Sequence, residues 1–227
     1  MLQDRLNDAA IALSRVLSDA RIKFGIFGGY AIAVLGGQRE SKDIDCVAAL
    51  SKQAVISLFD GKLGFVAVPQ TREDYVAFLW SNTPNRSNAV LVEIFCEQFP
   101  GARYSMSNVQ PNAVAINGAS LGNGTAPFLD PVYLFKGKLR AAATRAKFHD
   151  SADLRWLEGR FRETIKARRA EFSSKYVGLA MKRYAELEPL FIRLGIDVAV
   201  AKDAAANLDP NNLPRPAPGD VQLGILG

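Results

Sequence analysis

Two aspartates flank a single isoleucine at Asp43-Ile44-Asp45, inside a stretch that is otherwise apolar, and a glutamate, Glu93, interrupts a second apolar run further along the chain. In an extended strand alternate side chains share a face, so Asp43 and Asp45 project together with Cα atoms roughly 6.6–7 Å apart. Ile44 and Cys46 then point the other way, into a core. Two carboxylates at that separation repel and raise each other's pKa unless a cation lies between them. Oxygen-only donors favour a hard ion such as Mg²⁺, which takes one or two carboxylates and completes its shell with water and substrate phosphate. Glu93 shares a face with Phe95. If its strand lies beside the Asp43 strand, three acids meet on one surface and could hold two ions roughly 3.5–4 Å apart, an arrangement suited to phosphoryl displacement. Glu97, at the end of the same run, is the alternative third ligand.

The elements that must position these acids follow from periodicity. Leu6, Ala9, Ala10, Leu13, Val16 and Leu17 recur at helical spacing, so the first ~20 residues form an amphipathic helix. A short strand follows at Lys23 to Phe27. Gly28-Gly29 ends it, and a helix from Tyr30 closes at Gly36-Gly37. A glycine pair between a strand and a helix suits the close approach of an anion, because free N–H groups point outward and no Cβ intervenes. Strands are predicted over Lys42 to Leu50, Gly64 to Val68, Tyr75 to Ser81, Ala89 to Cys96 and Ala113 to Gly118. Between the first two of these, Ser51 caps a helix that stops near Gly61. From Asp130 the character changes to helices, the first with Asp130 as its cap and Pro131 at its first position. Others are predicted from Ser151 and, as one helix or a pair, across Ser173 to Gly195, where small and apolar spacing over Val177–Lys182 suits packing against the first domain or a second subunit. The division expected is a core over 1–128, a helical cap over 129–208 and a Pro- and Gly-rich tail over 209–227 that is extended or disordered. The fold class is α+β: a mixed sheet flanked by helices, with a C-terminal helical segment.

Composition narrows the chemistry. The 227 residues contain two cysteines and one histidine. Cys46 and Cys96 are too few for a disulfide framework or a structural zinc site and read as buried thiols of a cytoplasmic protein. With His149 the single imidazole, demanding chemistry must come from carboxylates. No apolar run approaches the ~18 residues of a membrane span, and the N-terminus lacks a signal-peptide pattern. Positive charge is concentrated between residues 136 and 170, where eleven Lys or Arg stand against four acids. Such a face attracts polyanions, or it is a solvated helical surface. Trp80 and Trp156 are core or pocket-wall residues, Trp80 also being placed to stack on a base.

Gly28-Gly29, the approach through Arg39 and Ser41, Asp-Ile-Asp at 43–45 and an acid in a later strand together resemble the nucleotidyltransferase superfamily that includes DNA polymerase β, aminoglycoside nucleotidyltransferases and abortive-infection toxin transferases. The second half adds to the likeness. Lys138, Ala141 or Ala142, Arg145, Asp150, Asp153 and Leu154 are similar to a motif in the helical segment of the small-molecule and toxin branch. The resemblance spans about residues 22–157. It implies that Asp43, Asp45 and Glu93 bind two Mg²⁺ ions and that Glu93 helps deprotonate an acceptor hydroxyl. It also implies that Gly28 and Gly29 hold the β and γ phosphates of a nucleoside triphosphate, that Lys138 reaches the triphosphate, and that Arg39, Ser41 and Lys42 add phosphate contacts. One departure is Tyr30, which stands where a serine or another small residue is frequent.

The activity implied is transfer of a nucleoside monophosphate to an acceptor hydroxyl with release of pyrophosphate. The acceptor is a small molecule, RNA or a protein side chain. A different class of reading is a non-catalytic nucleotide- or RNA-binding module on the same fold, and a third is a phosphohydrolase. Oligomeric state and base preference leave no trace in the sequence.

Overall fold

A computed structural model describes residues 3–227. The chain divides into two compact units: residues up to Asp130 together with Pro218–Leu226, and Pro131–Ala217. The protein is α+β, with a mixed sheet in the first unit and helices in the second.

In the first unit, helix α1 (Gln3–Asp19) buries the apolar stripe formed by Leu6, Ala9, Ala10, Leu13 and Leu17. Strand β1 (Phe24–Phe27) leads into helix α2 (Gly28–Val34) and strand β2 (Asp43–Ser51). Helix α3 (Lys52–Phe59) is capped by Ser51, whose side chain accepts from the Ala54 N–H. Strands β3 (Phe65–Val68), β4 (Tyr75–Trp80) and β5 (Val90–Gln98) follow, then β6 (Asn112–Gly118) and β7 (Gly122–Phe128). All seven strands join one sheet in the order β3-β4-β5-β2-β1-β7-β6. β2 runs parallel to β5 and antiparallel to β1. One face of the β3-β4-β5-β2 half carries Phe65, Phe78, Trp80, Val92, Ile94, Ile44 and Cys46, all buried. Phe59 of α3 covers it, with ring centroids 4.9 Å from Phe65 and 5.4 Å from Phe78. Burying the apolar residues on one face leaves the alternate residues on the other, and this is the face that carries the acids.

The sequence does not announce β7. Its run Gly-Asn-Gly-Thr-Ala-Pro-Phe has little strand propensity, and it pairs along its length only with β6, meeting β1 at Ile26↔Phe128. Tertiary contact specifies it instead. At Gly124 any Cβ would lie 2.8 Å from Ile11 of α1, so the absence of a side chain lets helix and strand approach. Asp8 of α1, fully buried, accepts the N–H groups of Ser120 and Leu121 and secures the β6–β7 turn.

The C-terminus departs from the composition-based expectation. Where residues 209–227 were expected to be extended or disordered, Asp220–Leu226 form a helix, α9, that belongs to the sheet unit. Gln222 is fully buried and donates to the carbonyls of Asp74 and Cys96, at 3.0 and 3.2 Å. The Gly219 N–H donates to Asp74 Oδ2 at 2.7 Å. Asp74, itself fully buried, also receives Arg72 at 3.0 and 2.7 Å. Burial pushes this carboxyl up, but the Arg72 bonds and the Gly219 N–H outweigh it and hold it below the ordinary aspartate value. A depressed folded-state pKa contributes stability that is complete above the unfolded value, about 3.9, and drains as pH falls through the folded value. Urea unfolding followed from pH 7 to pH 2 should therefore lose stability below about pH 4. Asp74→Asn should be less stable at pH 7 and show a flatter profile across that window.

The second unit contains α4 (Pro131–Thr144), α5 (Phe148–Ala167), α6 (Ser174–Arg183), α7 (Glu188–Arg193) and α8 (Val198–Ala204). The segment Ser173 to Gly195 thus resolves into two helices, α6 and α7. α5 begins three residues ahead of the predicted Ser151 start and kinks at Phe161 (φ −130°, ψ 29°). The small residues of α6 serve its packing on α8: a Cβ on Gly178 would clash with the Ala201 carbonyl.

Candidate active site

β2 and β5 pair with Asp43 opposite Leu91 and Asp45 opposite Glu93. Register partners in a ladder project to the same side, and Asp43 precedes Asp45 by two residues, so all three acids stand on the face opposite the one Phe59 covers. Each is partly exposed, between the buried positions of its strand.

The glycine pair lies beside them for a reason the sequence did not reveal. Gly28 has φ +76°, and a Cβ there would clash with Asp45 Oδ2. At Gly29 a Cβ would lie 2.7 Å from the Arg39 guanidinium and 3.1 Å from Ser41 Oγ. The missing side chains thus admit the site's own aspartate, arginine and serine. Ser41, 3% exposed, donates to Asp43 Oδ1 at 3.1 Å and orients that carboxylate. Lys42 is exposed beside it. Tyr30 is fully buried and donates to Asn7 Oδ1 at 2.8 Å, so its hydroxyl ties α2 to α1.

Glu93 has a partner that sequence reasoning missed. Tyr75 of β4 donates its hydroxyl to Glu93 Oε1. Tyr75 is opposite Phe95 in the β4–β5 ladder, two positions from the Ala77↔Glu93 pair, and therefore on the acid face. Burial, then the hydrogen bond and charge of Glu93, raise the Tyr75 pKa well above the ordinary tyrosine value, so it is a donor at neutral pH. The signal available was alternation along β4, but using it requires the β4–β5 register. That register passes through a turn with Arg86 and Asn88 at positive φ.

Other expected residues make bonds of their own. Glu97 Oε2 accepts the Met106 N–H at 3.1 Å and secures a loop. Trp80 faces the covered side of the sheet at 1% exposure, donates to the Leu63 carbonyl and is overlaid by Arg5, so it is a core residue. Lys138 belongs to the helical unit. It is 6% exposed, 2.7 Å from Asp153 Oδ2 and 3.4 Å from Asp150 Oδ1. Arg145 meets the same Asp150 at 2.7 and 3.0 Å, with His149 at 3.8 Å. The lysine, arginine and two aspartates that resembled a family motif thus form one ion cluster around the buried Asp150, with Arg145 on its exposed side, joining α4 to α5. Much of the basic run is likewise paired: Lys136 and Arg168 with Glu171, Arg155 with Glu186, and Arg162 with Glu158.

Donor type and face suit a hard divalent ion: three carboxylates and no soft ligand, with Ser41 orienting one and Tyr75 another. Among the described residues no three metal-type side chains are gathered around a single point. Tyr75 engages one oxygen of Glu93 and leaves the carboxylate its second.

No protein-family model matches the chain, and no curated protein does. Solved structures do. An antigenic nucleotidyltransferase-like protein from Paracoccidioides brasiliensis superposes with a TM-score of 0.55 at 16% identity, over 87% of this chain and 96% of that one. ANT(2")-Ia, in complex with adenylyl-2"-tobramycin, superposes with a TM-score of 0.50 at 16% identity, over 75% of this chain and 97% of that one. The chain has the nucleotidyltransferase fold.

Proposed function

We propose that the protein is a nucleotidyltransferase that moves a nucleoside monophosphate from a nucleoside triphosphate to a hydroxyl of a small-molecule acceptor. The observation that carries this reading is the direct Asp45↔Glu93 pairing of two parallel strands, with Asp43 on the same face. Three carboxylates gathered on one partly exposed sheet face repel one another, and a divalent cation would offset that repulsion.

In the reaction the acceptor oxygen attacks the α phosphorus, the bond from that phosphorus to the bridging oxygen breaks, and pyrophosphate leaves with the bonding electrons. Asp43, Asp45 and Glu93 are the residues that would hold Mg²⁺, which when bound neutralises the negative charge of the phosphates. Glu93 takes the proton of the acceptor hydroxyl, and Tyr75 keeps that carboxylate oriented. Ser41 holds Asp43 in place, while Arg39 and the exposed Lys42 supply positive charge for the triphosphate. Such a site works by positioning and charge neutralisation.

ANT(2")-Ia in its adenylyl-2"-tobramycin complex provides a small-molecule precedent on this fold. Lys136, Lys138, Arg145, Arg155, Arg162 and Arg168 of the basic run are held in ion pairs, so they serve the helical unit's own structure as well as its charge. The test is incubation with each of the four labelled triphosphates, Mg²⁺ and an acceptor library including hydroxylated antibiotics and RNA, reading pyrophosphate, inorganic phosphate and labelled acceptor. Pyrophosphate with a labelled small molecule supports the reading. Inorganic phosphate alone points to a hydrolase, labelled RNA replaces the acceptor class, and salt-sensitive RNA binding without turnover identifies a binding module.

A further inference from the structure

The most connected group around the acids lies in the β4 entry, which the proposed chemistry uses only through one hydroxyl. Tyr75 spans two environments. Its hydroxyl reaches Glu93 Oε1, and its ring lies 5.2 Å from Phe95 and 5.7 Å from the Arg72 guanidinium. Arg72 is bound through two nitrogens to Asp74. Asp74 is fastened from the C-terminus, by the Gly219 N–H on its carboxylate and the Gln222 amide on its carbonyl. Gln222 also takes the Cys96 carbonyl on β5, the strand of Glu93 itself. Tyr75 and Glu93 are each partly exposed, the Asp74 and Gln222 bonds behind them each have a fully buried partner, and the remaining links are ring contacts inside one unit, so the phenol has little freedom to swing.

We propose that Tyr75 is the positioning residue for Glu93, and that the Arg72–Asp74 turn, clamped by Gly219 and Gln222 of the C-terminal segment, holds Tyr75 in place. The proposal rests on the reading of Glu93 as a metal-binding carboxylate. A carboxylate on one rotatable stem can present either oxygen in several directions. A donor fixed on Oε1 restricts it to one, and the second oxygen is then offered along a defined path. Outer partners of metal-binding carboxylates typically contribute about 10–100-fold to metal affinity or activity when removed. This assigns a role to a C-terminal helix far in sequence from the acids.

Tyr75→Phe removes the hydroxyl and keeps the ring on Phe95, so it preserves the packing. Tyr104→Phe is the control, since that hydroxyl meets the Cys96 carbonyl at 3.4 Å and no acid of the site. Mn²⁺ titration of each full-length protein, read by the electron paramagnetic resonance of free Mn²⁺, requires no turnover. Binding about tenfold weaker in Tyr75→Phe, with Tyr104→Phe matching the wild type, is the expected result. In turnover assays kcat should fall about tenfold with the triphosphate KM unchanged. Equal Mn²⁺ binding by Tyr75→Phe and wild type overturns the positioning role and leaves the proposed activity standing. Tighter binding also overturns it, because Tyr75 would then hold Glu93 away from the ion. A wild-type protein that binds no Mn²⁺ overturns both. Absence of turnover with Mn²⁺ binding weakened in Tyr75→Phe upholds the positioning role while removing the activity.

Discussion

Replacing Asp45 with Asn should reduce pyrophosphate release about 10²–10³-fold while leaving the fold intact. Loss of one preorganised charge at a phosphoryl-type centre costs on the order of 10²–10³, and Asp45 is the middle of the three acids. Asparagine preserves the shape of the side chain, which Gly28 has no Cβ to obstruct, and removes only the charge. Removing one of the three like charges on the face lowers their mutual repulsion, and the unfolding temperature of the variant checks that the loss of turnover is not loss of fold. Glu97→Gln is the matched control: Glu97 secures the Met106 N–H, so turnover should persist. Turnover that survives Asp45→Asn at wild-type rate would remove the acids from the chemistry.

The second large effect lies in the helical unit and should be one of stability. Asp150 is fully buried and accepts from Arg145 and Lys138. Burial pushes its carboxyl up, but Arg145 and then Lys138 outweigh that and hold it low. Asp150→Ala leaves Lys138, 7% exposed at its side chain, with the charge of Asp153 alone. Breaking a buried ion group by deleting one member costs about 3–5 kcal/mol. Hydrogen exchange resolved by peptide should show amides of α4 and α5 opening much faster, while the sheet strands keep their protection. Uniform loss of protection in both units, or none in either, would contradict the placement of this cluster as a local brace. The two substitutions thus separate the residues that resemble the family into chemical and structural sets.

Much of this separation was legible before folding and some was not. Asp43 and Asp45 could be placed on one face because a strand has period two and Ile44 and Cys46 demanded the core. Glu93 stood out as a carboxylate in an apolar run, and the Ser51 cap needed only local chemistry. Lys138 illustrates the opposite. Two aspartates of its own unit hold it, and helical spacing cannot reveal which side chains meet across a helix pair. The proline- and glycine-rich C-terminus misled in the same way, since a buried glutamine and one backbone N–H on Asp74 fold what composition would leave extended.

What the sequence determined by itself was therefore whatever depends on near neighbours: strand alternation, caps, the glycine turn, and the scarcity of histidine and cysteine that made carboxylates the groups to look for. Tertiary structure decided the β2–β5 register that sets Glu93 beside Asp45, the recruitment of Tyr75, and the admission of Asp45 over Gly28. The physical reason is that these contacts join segments tens of residues apart, and pairing register, on which a one-residue slip would reverse every side chain, is selected by the burial of the whole opposite face.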